Sequence, residues 1–308
     1  MRKVIGIGET ILDIIFKNEQ PTAAVPGGST FTGMISLGRM GLPVTMITET
    51  GNDRVGKTIK EFMEENGVNS DYVCMYQDGR TAISLAYLNE RNDADYTFYK
   101  DYPNARLDVE WPKVNKDDIV MMGSYFVLNP VLREKVKEFL DYATKQEALI
   151  YYDINFRSSH ASEAIKLRST ILENFEYASI VRGSTEDFQN MFKISDPEKA
   201  YEQEVKYHCK QMLCTDAEGE ICLFSSNLTK KYQVNKIETV STIGAGDNFN
   251  AGIVFGLLKE GVSRDGIASI TEEQWNRIIA HGMAFAAEVC QSLNNSISKE
   301  FAKNYGRI

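Results

Sequence analysis

The chain has 308 residues, of which 43% are hydrophobic and 25% charged, and its formal net charge is −9. This length can hold one large α/β domain or two small ones, and the composition is typical of a soluble globular protein. The negative charge and the lack of a Lys/Arg cluster argue against a nucleic-acid partner, although a local pocket rich in N–H groups can still bind phosphate.

The cysteine, histidine and hydropathy patterns exclude several further classes. The five cysteines form no CxxC pair and the three histidines are scattered, so neither a disulfide framework nor a metal-ligand cluster is predicted. Arg2 and Lys3 precede an apolar start, but Glu9 and Asp13 interrupt it and no cleavage site follows. No apolar stretch reaches the length of a membrane span. We therefore expect a cytoplasmic protein without a membrane partner.

Two apolar runs begin the chain. Residues 3–8 are mostly β-branched and end in Gly-Ile-Gly, which predicts a buried strand. Residues 11–16 form a second apolar run that holds Asp13. A carboxylate among apolar residues is costly unless it is paired or faces a pocket, so Asp13 either faces a ligand site or lies at a turn in water.

Two adjacent glycines, Gly27 and Gly28, precede an amphipathic pattern over residues 31–40. The pattern predicts a helix, for which Ser29 or Thr30 is the expected N-cap. Adjacent glycines at a helix entry permit the close approach of a small ligand, and they also make a good turn.

The next predicted strand covers residues 44–48, and a Walker A pattern follows it. Residues 51–58 match GxxxxGK[ST], and residues 149–153 resemble an apolar strand that ends in a Walker B Asp, so a P-loop NTPase is a rival interpretation. Against it, the loop carries Asp53, whose charge would lie among phosphates, and lacks an extra glycine to turn N–H groups inward. We interpret the end of the motif as an ordinary helix start with a solvated Lys57.

A hairpin pattern follows in the chain. Residues 81–88 alternate with period two, residues 89–95 are polar, and residues 96–100 form the returning strand. Together with residues 11–16 the hairpin predicts a small sheet separate from the main one. A sheet with one free face usually covers a ligand or a partner subunit.

From residue 118 onwards, strands alternate regularly with helices, a pattern typical of a parallel, doubly wound sheet. Ligands bind such sheets beyond the carboxyl ends of the strands, where Asp153, Asn155 and Arg157 are expected. The predicted strands are 119–123, 148–153, 178–182, 213–214 and 221–224, and an antiparallel direction is open for the last of them. The predicted helices are one capped by Asn129-Pro130, one within 161–175, and one that begins with a capping box at residues 184–187.

A glycine corner opens the last predicted helix, where a polar turn runs into Gly244-Ala245-Gly246-Asp247 and then an apolar stretch. Glycines let backbone N–H groups face a ligand, and a helix start adds free N–H groups and the positive end of its dipole. The pattern predicts an anion-binding corner with one carboxylate, the parts that phosphoryl transfer needs. The simpler alternative is that Asp247 or Asn248 only caps the helix.

Several stretches, in one order along the chain, resemble the ribokinase-like (PfkB) family of carbohydrate kinases, most closely its fructokinases. The specific element is the run 244–247 with its following helix. The matching stretches are 8–13, 26–28, 51–56, 81–100, 153–157, 184–187 and 242–247. The resemblance also explains the Walker A look-alike, because the family's Gly-x-Asp-x-x-Gly turn falls there.

The resemblance implies a fold and an activity. The fold would be one ribokinase-like α/β domain over 1–308: a central, mostly parallel β-sheet flanked by helices on both faces, with a small β-sheet lid formed by about 11–26 and 73–101. The activity would be ATP-dependent phosphorylation of a sugar hydroxyl, with the lid excluding water. A homodimer interface formed by the lid is a further hypothesis.

The resemblance assigns roles to individual residues. Asp247 would be the base, a weak one because the helix dipole should keep it ionised. Arg157 would lie near the transferred phosphate, and Asp187 would act on Mg²⁺ through water. The anion-hole N–H groups would be those of Gly244, Ala245 and Gly246; the sugar contacts would be Asp13, Gly27, Gly28, Thr32 and Asn155; the nucleotide contacts would be Ser184, Cys214, Asp216, Gly219, Thr242 and His281.

Four positions depart from the family pattern. Thr32 stands where the family has Asn, Asp216 where glycine is usual, and His281 where an adenine-side Asn is common. Ser241 replaces an Asp and leaves dependence on a monovalent cation open. Other acceptors (2-keto-3-deoxygluconate, ribose or a nucleoside) and a catalytically inactive sugar-binding protein are alternatives to a fructokinase.

Overall fold

The computed structural model describes residues 1–90, 94–216, 219–306 and 308. The strands are β1 Val4–Ile7, β2 Ile11–Lys17, β3 Gln20–Gly27, β4 Val44–Gly51, β5 Val68–Asn69, β6 Val73–Tyr76, β7 Arg80–Leu88, β8 Ala94–Asp101, β9 Ile119–Gly123, β10 Leu149–Asp153, β11 Ile180–Ser184, β12 Met212–Thr215, β13 Glu220–Phe224 and β14 Thr229–Gln233. The α-helices are α1 Ser29–Arg39, α2 Arg54–Glu65, α3 Arg133–Lys145, α4 Ala164–Tyr177, α5 Thr185–Phe192, α6 Pro197–Ala200, α7 Ala245–Lys259, α8 Glu272–Cys290 and α9 Lys299–Tyr305. Single turns of other helix types lie at Tyr125–Leu128, Ser158–Glu163, Tyr201–Val205 and Ile267–Ser269.

The large sheet has the strand order β14-β13-β12-β11-β10-β9-β1-β4-β5, and β6 pairs with β4. The strands from β12 to β5 run parallel, and only β13 and β14 join antiparallel. The carboxyl ends of β9, β10 and β11 therefore meet at one edge. The mostly parallel central sheet predicted from the sequence is confirmed.

Helices cover both faces of this sheet, which explains why β1, β9 and β10 are buried along their whole length. One face packs against α1, α2, α7, α8 and α9 through side chains such as Met34, Ile253 and Trp275. The other packs against α3, α4 and α5 through Phe139 and Phe175. No helix in the described parts of the chain is long and apolar enough to cross a membrane.

The small sheet has the order β3-β2-β7-β8. Its hairpins are antiparallel, whereas β2 and β7 pair in parallel. The predicted lid segment beginning at residue 73 is too long, because Val73–Tyr76 pairs with β4 in the large sheet. The tip of the predicted hairpin, residues 91–93, lies outside the described residues.

Three helix starts differ from or refine the predictions. The N-cap of α1 is Gly28, with φ 123°, and not Ser29 or Thr30. Helix α3 begins only at Arg133, because Asn129 accepts from the Val131 N–H in the turn before it. The capping box that begins α5 is confirmed.

Candidate active site

A cavity of about 660 Å³ lies between the carboxyl edge of the large sheet and the small sheet. It is the place where most of the sequence-predicted contacts meet. Those that line it are Asp13, Gly28, Thr32, Asn155, Arg157, Thr242, Gly244, Gly246 and Asp247. Most of these residues follow a strand of the large sheet or lie in the first turns of α1 and α7, whereas Asp13 comes from β2 of the small sheet.

The glycine corner has the geometry of an anion site. Gly244 is the N-cap of α7 in the left-handed region, with φ 78°, and a Cβ there would lie 2.6 Å from the carbonyl oxygen of Asn295. The N–H groups of Gly244, Gly246 and Asp247 have no acceptor among the described residues. The Ala245 N–H is different, since it donates to the Thr242 carbonyl at 3.1 Å. Ala245 therefore does not belong to the predicted anion hole, and the Asp247 N–H takes its place.

Asp247 lies at the floor of this corner, in the first turn of α7. The Ser29 hydroxyl donates to Oδ2 of Asp153 at 3.2 Å and lies close enough to Asp247 to lower the pKa of that carboxyl. Burial and the neighbouring Asp153 charge raise the pKa of Asp247 to about 7, against the opposing effects of Ser29, Arg157 and Arg182. The expectation of a fully ionised, weak base is thus wrong: burial outweighs the helix dipole, and Asp247 is suited to accept a proton near neutral pH.

An ion pair that the sequence reasoning missed supports the corner from below. Arg182, in the middle of β11, donates from Nη1 to Oδ1 of Asp153 at 2.9 Å and from Nη2 to the Thr215 hydroxyl at 2.8 Å. Both partners of the pair are buried. The available signal was a charged residue at the end of an apolar strand, Ile180-Val181-Arg182, which requires a partner.

Asp13 lies on the small sheet and faces the cavity. Ser84, its register partner on β7, donates a hydrogen bond to its carboxylate. Burial raises the pKa of Asp13 to about 6, with Ser84 and Arg157 opposing the rise. A Cβ at Gly27 would lie 2.2 Å from Oδ2 of Asp13, so only glycine fits beside this carboxylate.

Two further ion pairs lie around the same end of the cavity, and sequence reasoning missed both. Lys100 Nζ lies 2.6 Å from Oε1 of Glu9, which also accepts from the Tyr102 hydroxyl. Arg106 lies with its guanidinium carbon 3.7 Å from the centre of the Tyr102 ring and donates from Nε to Glu49 at 2.6 Å. Because the members of each pair are 57 or 91 residues apart, no local pattern reveals them.

Asn155 and Arg157 follow β10 into the cavity wall. Asn155 has a positive φ of 40°, a conformation that a side chain adopts at a cost and that is often found at functional sites. Arg157 is exposed and lies over the Tyr96 ring, and its guanidinium makes no hydrogen bond to the residues that the structure describes. Thr32 is buried, and its backbone N–H binds the Gly28 carbonyl.

Both oxygens of Asp187, which was predicted to act on Mg²⁺ through water, accept hydrogen bonds from the protein. Asp187 is buried, and its oxygens accept from Phe156 N, Ser184 N and the Ser184 hydroxyl at 2.6 to 2.7 Å. Burial raises the pKa of Asp187, with the charge of Arg182 opposing. The described residues hold no group of three or more metal-ligating side chains. Asp187 and Ser184 are therefore a helix cap, and we derive no step through a metal.

The remaining predicted nucleotide contacts lie at different places. Cys214 is buried in β12, and Asp216 accepts from the Glu220 N–H in the turn that follows. Gly219 closes that turn with φ 88°, while Ala217 and Glu218 lie outside the described residues. His281 lies elsewhere: its Nδ1 is 2.7 Å from the Tyr305 hydroxyl and its ring meets Phe255 edge-on. His281 therefore packs between helices, and its predicted nucleotide contact is not supported.

The Walker-like stretch is a lid anchor and not a phosphate loop. Asp53 is the N-cap of α2 and accepts from the Gly56 N–H at 2.9 Å. Its other oxygen accepts from the Thr81 N–H at 2.9 Å, which ties the turn to β7 of the small sheet. Lys57 is exposed, as predicted. The space that a phosphate would need is filled by the Asp53 carboxylate.

Comparisons of sequence and of fold find proteins similar to this chain. A family model described as "pfkB family carbohydrate kinase" matches residues 1–301. The chain is 23% identical to 5-dehydro-2-deoxygluconokinase 2 of Bacillus cereus (76% of this chain, 74% of that protein) and 24% identical to the probable chloroplastic fructokinase-6 of Arabidopsis thaliana (82% and 69%). Its fold is similar to that of a Vibrio cholerae fructokinase solved with fructose, ADP and calcium ion, with a TM-score of 0.83, 18% identity and coverage of 96% and 94%.

Proposed function

The chain belongs to the pfkB family of carbohydrate kinases, and from this premise we propose that it transfers the γ-phosphoryl group of ATP to a hydroxyl of fructose. The observation that carries the proposal is the placement of Asp247 beside three free N–H groups at the cavity floor. A base and an anion hole at one point serve the two needs of phosphoryl transfer, orientation of the acceptor and stabilisation of charge.

The transfer breaks one bond and forms another. The acceptor oxygen bonds to the γ-phosphorus, the bond from that phosphorus to the oxygen of ADP breaks, and the acceptor proton moves to Asp247. The N–H groups of Gly244 and Gly246 donate to the oxygens of the group in transfer. Because the pKa of Asp247 is raised to about 7, its carboxylate holds the proton well enough to act near neutral pH.

The charges at the acceptor end favour a neutral sugar over a sugar acid. Lys100 is neutralised by Glu9 and Arg106 by Glu49, whereas Asp13 has no ion-pair partner within the described residues. A carboxylate placed about 5 Å from ionised Asp13 would be disfavoured by about 3 kcal/mol at an effective dielectric constant of about 20. Sugar hydroxyls, in contrast, can donate to Asp13 and Glu9.

A sugar acid is the second candidate, because the Bacillus cereus relative is named 5-dehydro-2-deoxygluconokinase 2. We test this class with 2-keto-3-deoxygluconate, the sugar acid among the acceptors expected from the sequence. Glu9 decides between the two in our proposal. The Glu9→Gln substitution leaves Lys100 without its counter-charge, so we expect 2-keto-3-deoxygluconate to improve as an acceptor relative to fructose by about tenfold. An unchanged ratio of kcat/KM values would contradict the charge argument.

The experiment is ADP release from ATP in Mg²⁺ buffer across fructose, 2-keto-3-deoxygluconate, ribose and adenosine. We expect fructose to give the highest kcat/KM, and Asp247→Ala to reduce kcat by about a thousandfold. The exposed Asp71→Asn variant is the matched control and should keep full activity. Fructose binding without ADP release would instead favour a sugar-binding protein without kinase activity.

The possible homodimer through the small sheet remains part of the proposal. Tyr99 on β8 is 54% exposed, an apolar surface that a second copy would cover. Light scattering tests this directly, and a monomer would contradict it.

A further inference from the structure

We propose that Arg182 is a catalytic residue, whose guanidinium contacts the phosphoryl group in transfer as a side-chain arm of the anion hole. The inference rests on the proposed kinase function and adds to it a contact outside the glycine corner. It is carried by the position of Arg182, by its unused hydrogen-bond donors, and by the charges around it.

The position of Arg182 is fixed from two neighbouring strands. Its strand, β11, lies between β10 and β12, and its bonds run to Asp153 on the first and Thr215 on the second. Arg182 is only 7% exposed, yet it lines the cavity. The guanidinium is thus held in place before any ligand arrives, which is what electrostatic preorganisation requires.

The guanidinium lies directly against the corner. A Cβ built on Gly246 would lie 3.2 Å from Nη2 and 3.3 Å from Nη1 of Arg182. Any side chain at position 246 would crowd these nitrogens, so glycine allows the arginine to reach the first turn of α7. An oxygen that accepts from the Gly246 N–H therefore lies within reach of the same guanidinium.

Most of the donors of Arg182 are unused. A guanidinium has five N–H donors, and the two bonds to Asp153 and Thr215 use two of them. Nε is buried and has no partner within the described residues. A buried donor without a partner is costly. We therefore expect the hydrogen bonding of the Arg182 guanidinium to be completed by a ligand that accepts several hydrogen bonds. A phosphoryl group has three such oxygens.

The charges around Arg182 become less negative during the transfer. Asp153, the ion-pair partner of Arg182, accepts from the Ser29 hydroxyl, which lies beside Asp247. When the acceptor proton moves to Asp247, the Asp247 carboxylate becomes neutral. At the same time, negative charge is spread over the oxygens of the phosphoryl group in transfer. Arg182 exchanges no proton and forms no bond to phosphorus; it stabilises those oxygens while the bond to ADP breaks.

The test compares Arg182→Ala and Arg182→Lys with Arg133→Ala. Arg133 is a matched control, because it is paired with Glu173 and Asn174 outside the cavity lining. We expect kcat to fall about 100-fold or more in Arg182→Ala. The fall should be smaller in Arg182→Lys, which keeps the charge but loses the planar fork. KM for fructose should change less than threefold, and Arg133→Ala should keep kcat.

Two readouts separate a catalytic role from a purely structural one. Millimolar guanidinium ion should raise kcat of Arg182→Ala about tenfold and leave Arg133→Ala unchanged. Fructose with ADP and aluminium fluoride should raise the Tm of the wild type more than fructose with ADP alone, and Arg182→Lys should lose only this additional rise.

The contrary outcomes are distinct. If Arg182→Lys and Arg182→Ala keep kcat within threefold of the wild type, the inference is wrong and the kinase proposal stands. If Arg182→Ala does not fold, the kcat of Arg182→Lys decides alone. A loss of ADP affinity in the Arg182 variants as large as their loss of kcat would overturn the catalytic role and assign Arg182 to nucleotide binding. A wild type that releases no ADP with any sugar would refute the proposed function itself.

Discussion

The raised pKa of Asp247 predicts that Asp247→Asn stabilises the ligand-free protein at pH 8 but not at pH 4. The folded protein binds the Asp247 proton up to about pH 7, whereas the unfolded chain releases it near 3.8. Between these values the folded state holds more protons, so the free energy of unfolding decreases as the pH rises through the window. The difference between these two pKa values corresponds to about 4 kcal/mol of unfolding free energy. Since the carboxylate borders an open cavity, we expect about half of this, about 2 kcal/mol, to be gained by the amide at pH 8.

The assay is urea unfolding of the wild type and Asp247→Asn at pH 4, 6 and 8. The difference in unfolding free energy should grow from near zero at pH 4 to about 2 kcal/mol at pH 8, with the change taking place between the unfolded and folded pKa values, about pH 4 to 7. Asp71→Asn, at an exposed position, controls for the general effect of removing a carboxylate. A difference that is the same at all three pH values would refute the reasoning, because it would mean that Asp247 does not titrate with a raised pKa.

Three further predictions concern other parts of the site. Lys57→Ala should leave kcat within about twofold, because Lys57 is exposed on α2; loss of ADP release would revive the P-loop interpretation. Asp53→Ala should cost about 2 kcal/mol at pH 7, since Asp53 accepts from Gly56 and Thr81. These bonds lower the pKa of Asp53, so its contribution is present above pH 4 and is lost on acidification; urea unfolding at pH 7 and 3 measures this, and an equal cost at both values would contradict it. Gly27→Ala should raise KM for fructose about tenfold or more, because its Cβ would meet the Asp13 carboxylate; steady-state kinetics with an unchanged KM would exclude the predicted contact.

Local patterns in the sequence predicted the local parts of the site. The run Gly244–Asp247 predicted a helix start with free N–H groups, and helix α7 begins there in the structure. Asp13 was recognised as an acid in an apolar run, and it faces the cavity. Both signals depend only on neighbouring residues. The same is true of the capping box at Ser184, where the pattern also explains why Oδ2 of Asp187 accepts from Ser184.

The electrostatics of the site could not be predicted in this way. Burial and Asp153, which lies on β10, raise the pKa of Asp247, so the helix dipole alone gave the wrong expectation. The Lys100–Glu9 pair joins residues 91 positions apart, and only the fold brings β8 of the small sheet against the connection between β1 and β2. Arg182 became visible as part of the corner only when Gly246 was placed against it. Charge networks across the sheet edge follow from topology and not from sequence spacing.

The most direct test of the account is ³¹P NMR of the wild type and Asp247→Ala with ATP and fructose. We expect the wild type to produce a sugar phosphate ester and ADP in equal amounts, and Asp247→Ala to produce neither above about a thousandth of the wild-type rate. Ester formation by Asp247→Ala at a rate near that of the wild type would contradict the central claim that Asp247 is the base of this carbohydrate kinase.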